Sequence, residues 1–248
     1  MESTTQHSKS SLSNKKVIVL GGSSGIGLAT AKAAAVEGAE VIIISSNQSR
    51  IDAALSQLPA NSKGIAADLT NEQQIKSLFA DLGKFDHLVF TAGESLNLSK
   101  IADVSLADAK RFFDVRYWGA FTAVKYASPN INEGGSITLS GGTASRRPQS
   151  GWSLGASICT AMEGFTRAMA IELAPIRVNL VCPGVVKTNL WSNMPEADRE
   201  SFYTSFADSL PVKFVAEADD LAESYLYLMR QRYSTGEVIV VDGGSVLV

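Results

Sequence analysis

Short runs rich in Val and Ile alternate along the chain with longer stretches of helical spacing. The apolar runs fall at residues 16–20, 41–45, 88–91, 136–140, 178–182 and 238–241, with a weaker one at 64–67. Between them, apolar positions recur at helical intervals over 26–37, 49–58, 71–82, 106–127, 155–173 and 217–230. Continuous apolar runs separated by helices of this length predict parallel βαβ units. Seven such runs predict a Rossmann-like, doubly wound α/β fold: a seven-stranded parallel sheet with helices on both faces. Residues 188–211 stand outside the alternation and carry Trp191, Met194, Phe202, Tyr203, Phe206 and Leu210. Ligands of open α/β sheets bind beyond the carboxyl ends of the strands, so this insertion is a candidate lid, the alternative being ordinary core or dimer-interface helices.

A length of 248 residues suits one large domain of this kind. Residues 1–14 read as a disordered polar leader, and 15–248 as a single domain that includes the insertion at about 188–211. The net charge of −3 argues against nucleic acid as a partner. The two histidines, His7 and His87, and the two cysteines, Cys159 and Cys182, are too few and too scattered for a zinc site, so no metal is expected. A Ser-His-Asp triad would depend on His87, because a mobile leader cannot hold a base in place. The cysteines show no disulfide pattern, no apolar run is long enough to span a membrane, and the leader lacks a signal-peptide core. A soluble, cytoplasmic protein acting on a small molecule is expected.

The first strand runs into Gly21-Gly22-Ser23-Ser24-Gly25-Ile26-Gly27, and a helix follows. Glycines let this backbone turn tightly and approach a pyrophosphate, to which the helix start presents free N–H groups and partial positive charge. A glycine cluster alone is weak evidence, but at the first strand–helix turn of such an alternation it is strong. GGSSGIG resembles the glycine signature of the short-chain dehydrogenase/reductase family, and the resemblance covers nearly all of the chain after the leader. Asp68, followed by Leu69, resembles the family's adenine-contacting acid, and Thr91-Ala92-Gly93 its Asn-Ala-Gly at the fourth strand. Pro183, Gly184, Val186 and Thr188 resemble its nicotinamide-side loop, and Val241-Asp242-Gly243-Gly244 its last strand. The resemblance implies a nicotinamide cofactor and an oxidoreductase. It also implies a homodimer or homotetramer, through the helices at 106–127 and 155–173 and the Val-rich C-terminal edge.

The end of the second strand decides which cofactor. A carboxylate there would bind a ribose 2′-hydroxyl and repel a 2′-phosphate. Instead the strand ends in Ser45, Ser46 and Asn47, three short polar groups that can donate to a 2′-phosphate, with Arg50 the nearest arginine. NADP(H) is therefore favoured over NAD(H).

The catalytic pattern of the family is missing. A Tyr proton donor is expected there, with a Lys four residues later and a Ser about thirteen residues before it. Aligned without gaps, Gly155 takes the Tyr position, Cys159 the Lys position and Gly142 the Ser position, while Arg116 replaces the family's supporting Asn. No shift of register repairs this. No tyrosine lies between 127 and 202, no lysine between 126 and 186, and no tyrosine in the chain has a lysine four residues later. Arg116, Ser140 and Ser153 are left as candidate catalytic residues. Arg116 could stabilise developing negative charge or anchor a carboxylate or phosphate. Ser140 could bind the substrate oxygen, and Ser153, like Ser157, could hold the nicotinamide ribose or a relay water. Cys159 reads as a small packing residue rather than a reactive thiol. One helical step turns Tyr117 about 100° from Arg116.

Loss of the acid penalises ketones, on whose oxygen charge develops, but not an acceptor that is already cationic, such as an iminium. The expectation is an NADP(H)-dependent reductase of an activated, mostly apolar acceptor. Two alternatives remain: a nucleotide-binding protein without redox turnover, and a pocket shaped for cycloaddition or isomerisation, as in divergent members resembling fungal biosynthetic enzymes.

Overall fold

A computed structural model describes residues 11–94, 96 and 98–248. His7 and most of the expected leader lie outside the described residues. The leader's described end is ordered, contrary to expectation: Leu12 is buried in the core and its carbonyl accepts from the Lys15 N–H at 2.9 Å.

The sheet strands are β1 (Lys16–Leu20), β2 (Glu40–Ser45), β3 (Lys63–Ala66), β4 (Phe85–Phe90), β5 (Ile131–Ser140), β6 (Arg177–Pro183) and, last in the chain, β9 (Val238–Val241). They pair in parallel in the order β3-β2-β1-β4-β5-β6-β9. The helices are α1 (Gly25–Val36), α2 (Gln48–Leu55), α3 (Glu72–Leu82), α4 (Leu106–Phe113), α5 (Ala120–Ala127), α6 (Ser153–Glu172), α7 (Glu196–Ser209) and α8 (Ala218–Arg230).

Strand alternation divides the core into two layers. Val17, Val19, Val41 and Ile43 face α1, α2 and α8, where they meet Ala31, Ile51, Leu221 and Tyr225. Ile18, Leu20, Ile42 and Ile44 face the other way, toward Ile75 and Phe79 of α3, Val124 of α5 and Met162 of α6. Burial on both faces explains why these strands read as unbroken apolar runs. β4 and β6 begin earlier than their apolar runs because the extra polar residues find buried partners. Asp86 accepts from the Lys16 N–H (2.9 Å) and Lys15 Nζ (3.0 Å), and His87 pairs with Ser136 (2.9 Å). Arg177 donates to the Leu228 and Met229 carbonyls at the end of α8 (2.6 and 3.0 Å).

The helix expected over 106–127 is not continuous. A π turn at Asp114–Gly119 separates α4 from α5. Gly119 permits it: a Cβ there would stand 2.9 Å from the Leu69 carbonyl oxygen. The insertion after β6 is pinned at its base by two short paired strands, β7 (Val186–Lys187) and β8 (Ala216–Glu217), and by the Lys187–Glu217 ion pair at 2.8 Å. Its Trp191 and Tyr203 are buried with Val185 and Val215 in a third cluster. No described helix is long and apolar enough to cross a membrane.

Candidate active site

The strand order reverses between β1 and β4, and a cleft of about 990 Å³ opens at their carboxyl ends. At one end it is built from the glycine loop. Gly21 has φ +85°, and a Cβ there would come within 2.6 Å of the Ala92 nitrogen. A Cβ on Gly27 would collide with the Gly21 carbonyl and the Thr91 hydroxyl. The backbone is thus drawn tight under the first turn of α1, which has no acidic residue and whose N-cap, Ser24, makes no side-chain cap. Those N–H groups fit a pyrophosphate. Thr188 stands over Gly25, 3.3 Å from where a Cβ would be. Thr91 donates to the Leu20 carbonyl at 3.1 Å and ties β4 to β1.

Ser23, Ser45, Ser46, Asp68, Leu69, Ala92, Gly93, Pro183, Gly184 and Val186 also line the cleft. Ser23 donates to Ser45 at 2.9 Å, which joins the glycine loop to the end of β2. Asn47 departs from expectation. It is not in the wall; its carboxamide oxygen caps α2 by accepting from the Arg50 N–H at 2.9 Å. Arg50 takes its place in the lining. Asp68 serves its own turn as well, accepting from the Thr70 N–H (2.9 Å) and hydroxyl (2.8 Å).

The opposite half of the cleft lies against α6. Trp152, Gly155, Ile158, Cys159 and Met162 line it, the spacing of one helix face. Ser153 and Ser157 lie off that stripe and are exposed, so the structure does not bring Ser153 into the site. The loop before α6 is clamped by Glu163, whose carboxylate accepts from Ser145 (2.8 Å) and pairs with Arg146 and Arg167. Burial pushes the Cys159 thiol up to about 11, so it remains protonated and un-nucleophilic at neutral pH.

Arg116 and Val115 reach the cleft from the π turn, and Phe112 joins them from the end of α4. Its guanidinium donates to the Glu94 carbonyl and lies over the Phe112 ring, 5.2 Å from the centroid. Gly93 leaves room for this, since a Cβ there would strike the guanidinium. Burial lowers the Arg116 pKa, yet guanidinium stays charged in proteins. Tyr117 packs instead against Phe165 and Trp118, turned from the cleft as helical geometry requires.

Ser140 lines the cleft, but its hydroxyl is committed. It donates to the Phe90 carbonyl at 2.7 Å and meets the Tyr225 hydroxyl at 2.6 Å. With one hydrogen and both partners in place, it has none to give a substrate oxygen. Sequence reasoning missed Tyr225, a fully buried α8 residue whose apolar spacing signals only core. It also missed Phe112, which the four-residue spacing to Arg116 could have revealed. The C-terminal residues Ser245 and Val248 in the lining gave no signal as site residues; Arg147 donates to the Ser245 carbonyl at 2.6 Å.

His87 is 3% exposed inside the sheet and burial drops its pKa to about 4, so it serves no triad. Among the described residues, no cluster of His, Cys, Asp or Glu could hold a metal, and both cysteines are free.

Residues 8–248 match the family model of an SDR-like Rossmann domain. The short-chain dehydrogenase/reductase fsr5 of Gibberella fujikuroi is 33% identical, across 96% of this chain and 97% of its own. A small-chain dehydrogenase solved in complex with NADPH is 37% identical with a TM-score of 0.84, covering 95% of this chain and 100% of that one. The MalC reductase/Diels-Alderase of Malbranchea aurantiaca superposes with a TM-score of 0.89 at 29% identity, covering 96% and 98%. A glycine loop at the first βα turn, a cleft at the switch point and full-length similarity of this kind converge: the chain belongs to the short-chain dehydrogenase/reductase family, a family of oxidoreductases.

Proposed function

We propose that this chain is an NADP(H)-dependent reductase of small, largely apolar acceptors that arrive already activated, an iminium being the simplest case. One observation carries the reading: among the described residues that line the cleft there is no Tyr, Lys or His. When bound with its pyrophosphate on the glycine loop, the reduced cofactor supplies hydride. Ser45, Ser46 and Arg50 line the cleft and would receive a 2′-phosphate, and residues 45–47 at the end of β2 include no carboxylate. A neutral thiol at Cys159 offers a poor proton source. Arg116 is a fixed positive charge held by a carbonyl and a ring, so it can take a carboxylate or phosphate of the substrate. Trp152, Leu190, Trp191 and Phe206 give the substrate end an apolar wall.

The two unpaired thiols fit a cytoplasmic enzyme. Trp118 and Phe121, 55% and 42% exposed on adjoining turns, supply an apolar face for a homodimer or homotetramer.

The test compares NADPH oxidation with a preformed cyclic iminium and with the ketone of the same skeleton. The ketone is expected to react slower by about 10²–10⁴, the range that general-acid catalysis supplies. Comparable rates for both refute the proposal. A change in tryptophan fluorescence on adding NADPH, with oxidation by neither acceptor, supports a nucleotide-binding role without turnover. Similarity to a protein described as a reductase/Diels-Alderase favours a further reading, in which the same pocket shapes a cycloaddition. Conversion of a diene substrate with no loss of nicotinamide absorbance would establish that.

A further inference from the structure

Two glycines, Gly142 and Gly155, stand where the family resemblance expects side chains, and their surroundings differ. A Cβ on Gly142 would lie 3.1 Å from the Cys159 sulfur, so the thiol has closed that space. Among the described residues, a Cβ on Gly155 would meet only the Ala144 methyl group, at 4.0 Å. Gly155 lies in the first turn of α6 on the stripe that faces the cleft, between Trp152 and Ile158. Nothing local demands glycine there. Its φ is outside the left-handed range that Gly21 and Gly25 occupy, and among the described residues no backbone atom from outside its own helix crowds it. Glycine weakens a helix relative to alanine, so the vacancy has a cost in stability with no return in the free protein.

The geometry points to Gly155 as the floor of a substrate subsite that takes an apolar ring of the acceptor, flanked by Trp152 and Ile158. The inference rests on the proposed reductase reading for the acceptor's identity, but not for the space itself. An acceptor ring lying against Gly155 would occupy the volume that a side chain at this position fills, and Trp152 offers it an aromatic partner. Ring size, rather than polarity, is then what position 155 selects.

Calorimetric titration of the NADP⁺-loaded full chain with 1-pyrroline and 3,4-dihydroisoquinoline tests this. The measured quantity is the ratio of the two affinities. In G155F the ratio is expected to shift against the larger ring by at least about tenfold, within the range that pocket shape discriminates, with NADPH affinity kept. G155A adds one carbon into open space, so its fold is secure; there the shift is expected to be about two- to threefold, with a melting temperature equal to or above wild type. An unchanged ratio in both variants overturns the proposal, and so does a wild-type protein that does not bind dihydroisoquinoline. A wild-type complex that binds the ring but oxidises no NADPH refutes the reductase reading alone. The shifted ratio in the Gly155 variants then still upholds the subsite.

Discussion

Replacing Ser45 by Asp tests the cofactor reading most directly. Ser45 ends β2, lines the cleft and accepts from Ser23 at 2.9 Å. An aspartate at this position still accepts from Ser23, so the glycine loop keeps its tie. What changes is the charge facing the adenosine ribose. Two like charges about 5 Å apart at an effective dielectric near 20 repel by roughly 3 kcal/mol. Ser45 is half-buried, and salt screening leaves about half of that. A phosphate monoester carries about −1.5 to −2, so the penalty on a 2′-phosphate is roughly 2–3 kcal/mol. That corresponds to about 30- to 150-fold in Kd. NADH gains, because the carboxylate can accept from the ribose hydroxyls. Titrations following Trp152 and Trp191, both in the cleft wall, read the two affinities separately. S45D is expected to reverse the preference for NADPH. If its NADPH affinity stays within about threefold of wild type, the 2′-phosphate does not lie at the end of β2 and the assignment of Ser45, Ser46 and Arg50 is wrong.

R50M should weaken NADPH by about two- to fivefold while leaving NADH unchanged, and should flatten the salt dependence of NADPH binding, since one exposed charge is removed. G21A combines a φ of +85° with a backbone atom 2.6 Å from the new Cβ. Calorimetry should find no NADPH binding, and denaturation should show a loss of about 2 kcal/mol or more. Y225F removes one buried hydrogen bond but leaves Ser140 its Phe90 partner, so a urea titration should show a loss of about 1 kcal/mol. His87 titrates near 4 in the folded protein against 6.5 when unperturbed, because burial disfavours its charged form. Neutral His87 therefore stabilises the fold above pH 6.5, and this contribution, about 3 kcal/mol, is lost as pH falls from 6.5 through 4. Denaturation of H87Q across that window should show a correspondingly flatter pH dependence.

The seven strands and most helices were legible because sheet burial and helix spacing are local patterns. Val17 and Ile18 face opposite layers, and that alternation needs no knowledge of the partner. The glycine loop was legible for a related reason: only glycine tolerates the φ of Gly21 and the approach of Ala92. The early ends of β4 and β6 were not, because polar residues join a strand only when a distant partner such as Ser136 or the end of α8 satisfies them. The break at Asp114–Gly119 was hidden likewise, since it depends on Gly119 pressing against the Leu69 carbonyl, fifty residues back in the chain.

The sequence by itself determined the fold class, the nucleotide loop and the absence of the Tyr and Lys pair, because each is a matter of residue type at a local position. Only the tertiary structure decided which side chains remain free to act. Ser140 and Ser153 look equivalent along the chain. One has its hydroxyl taken by Phe90 and Tyr225, and the other points to solvent from the wrong face of α6. Arg116 is kept in the cleft by Glu94 and Phe112, and Gly155 leaves open a space that Cys159 closes at Gly142. Hydrogen-bond commitment and empty volume belong to neighbours brought together by folding, and no local pattern encodes them.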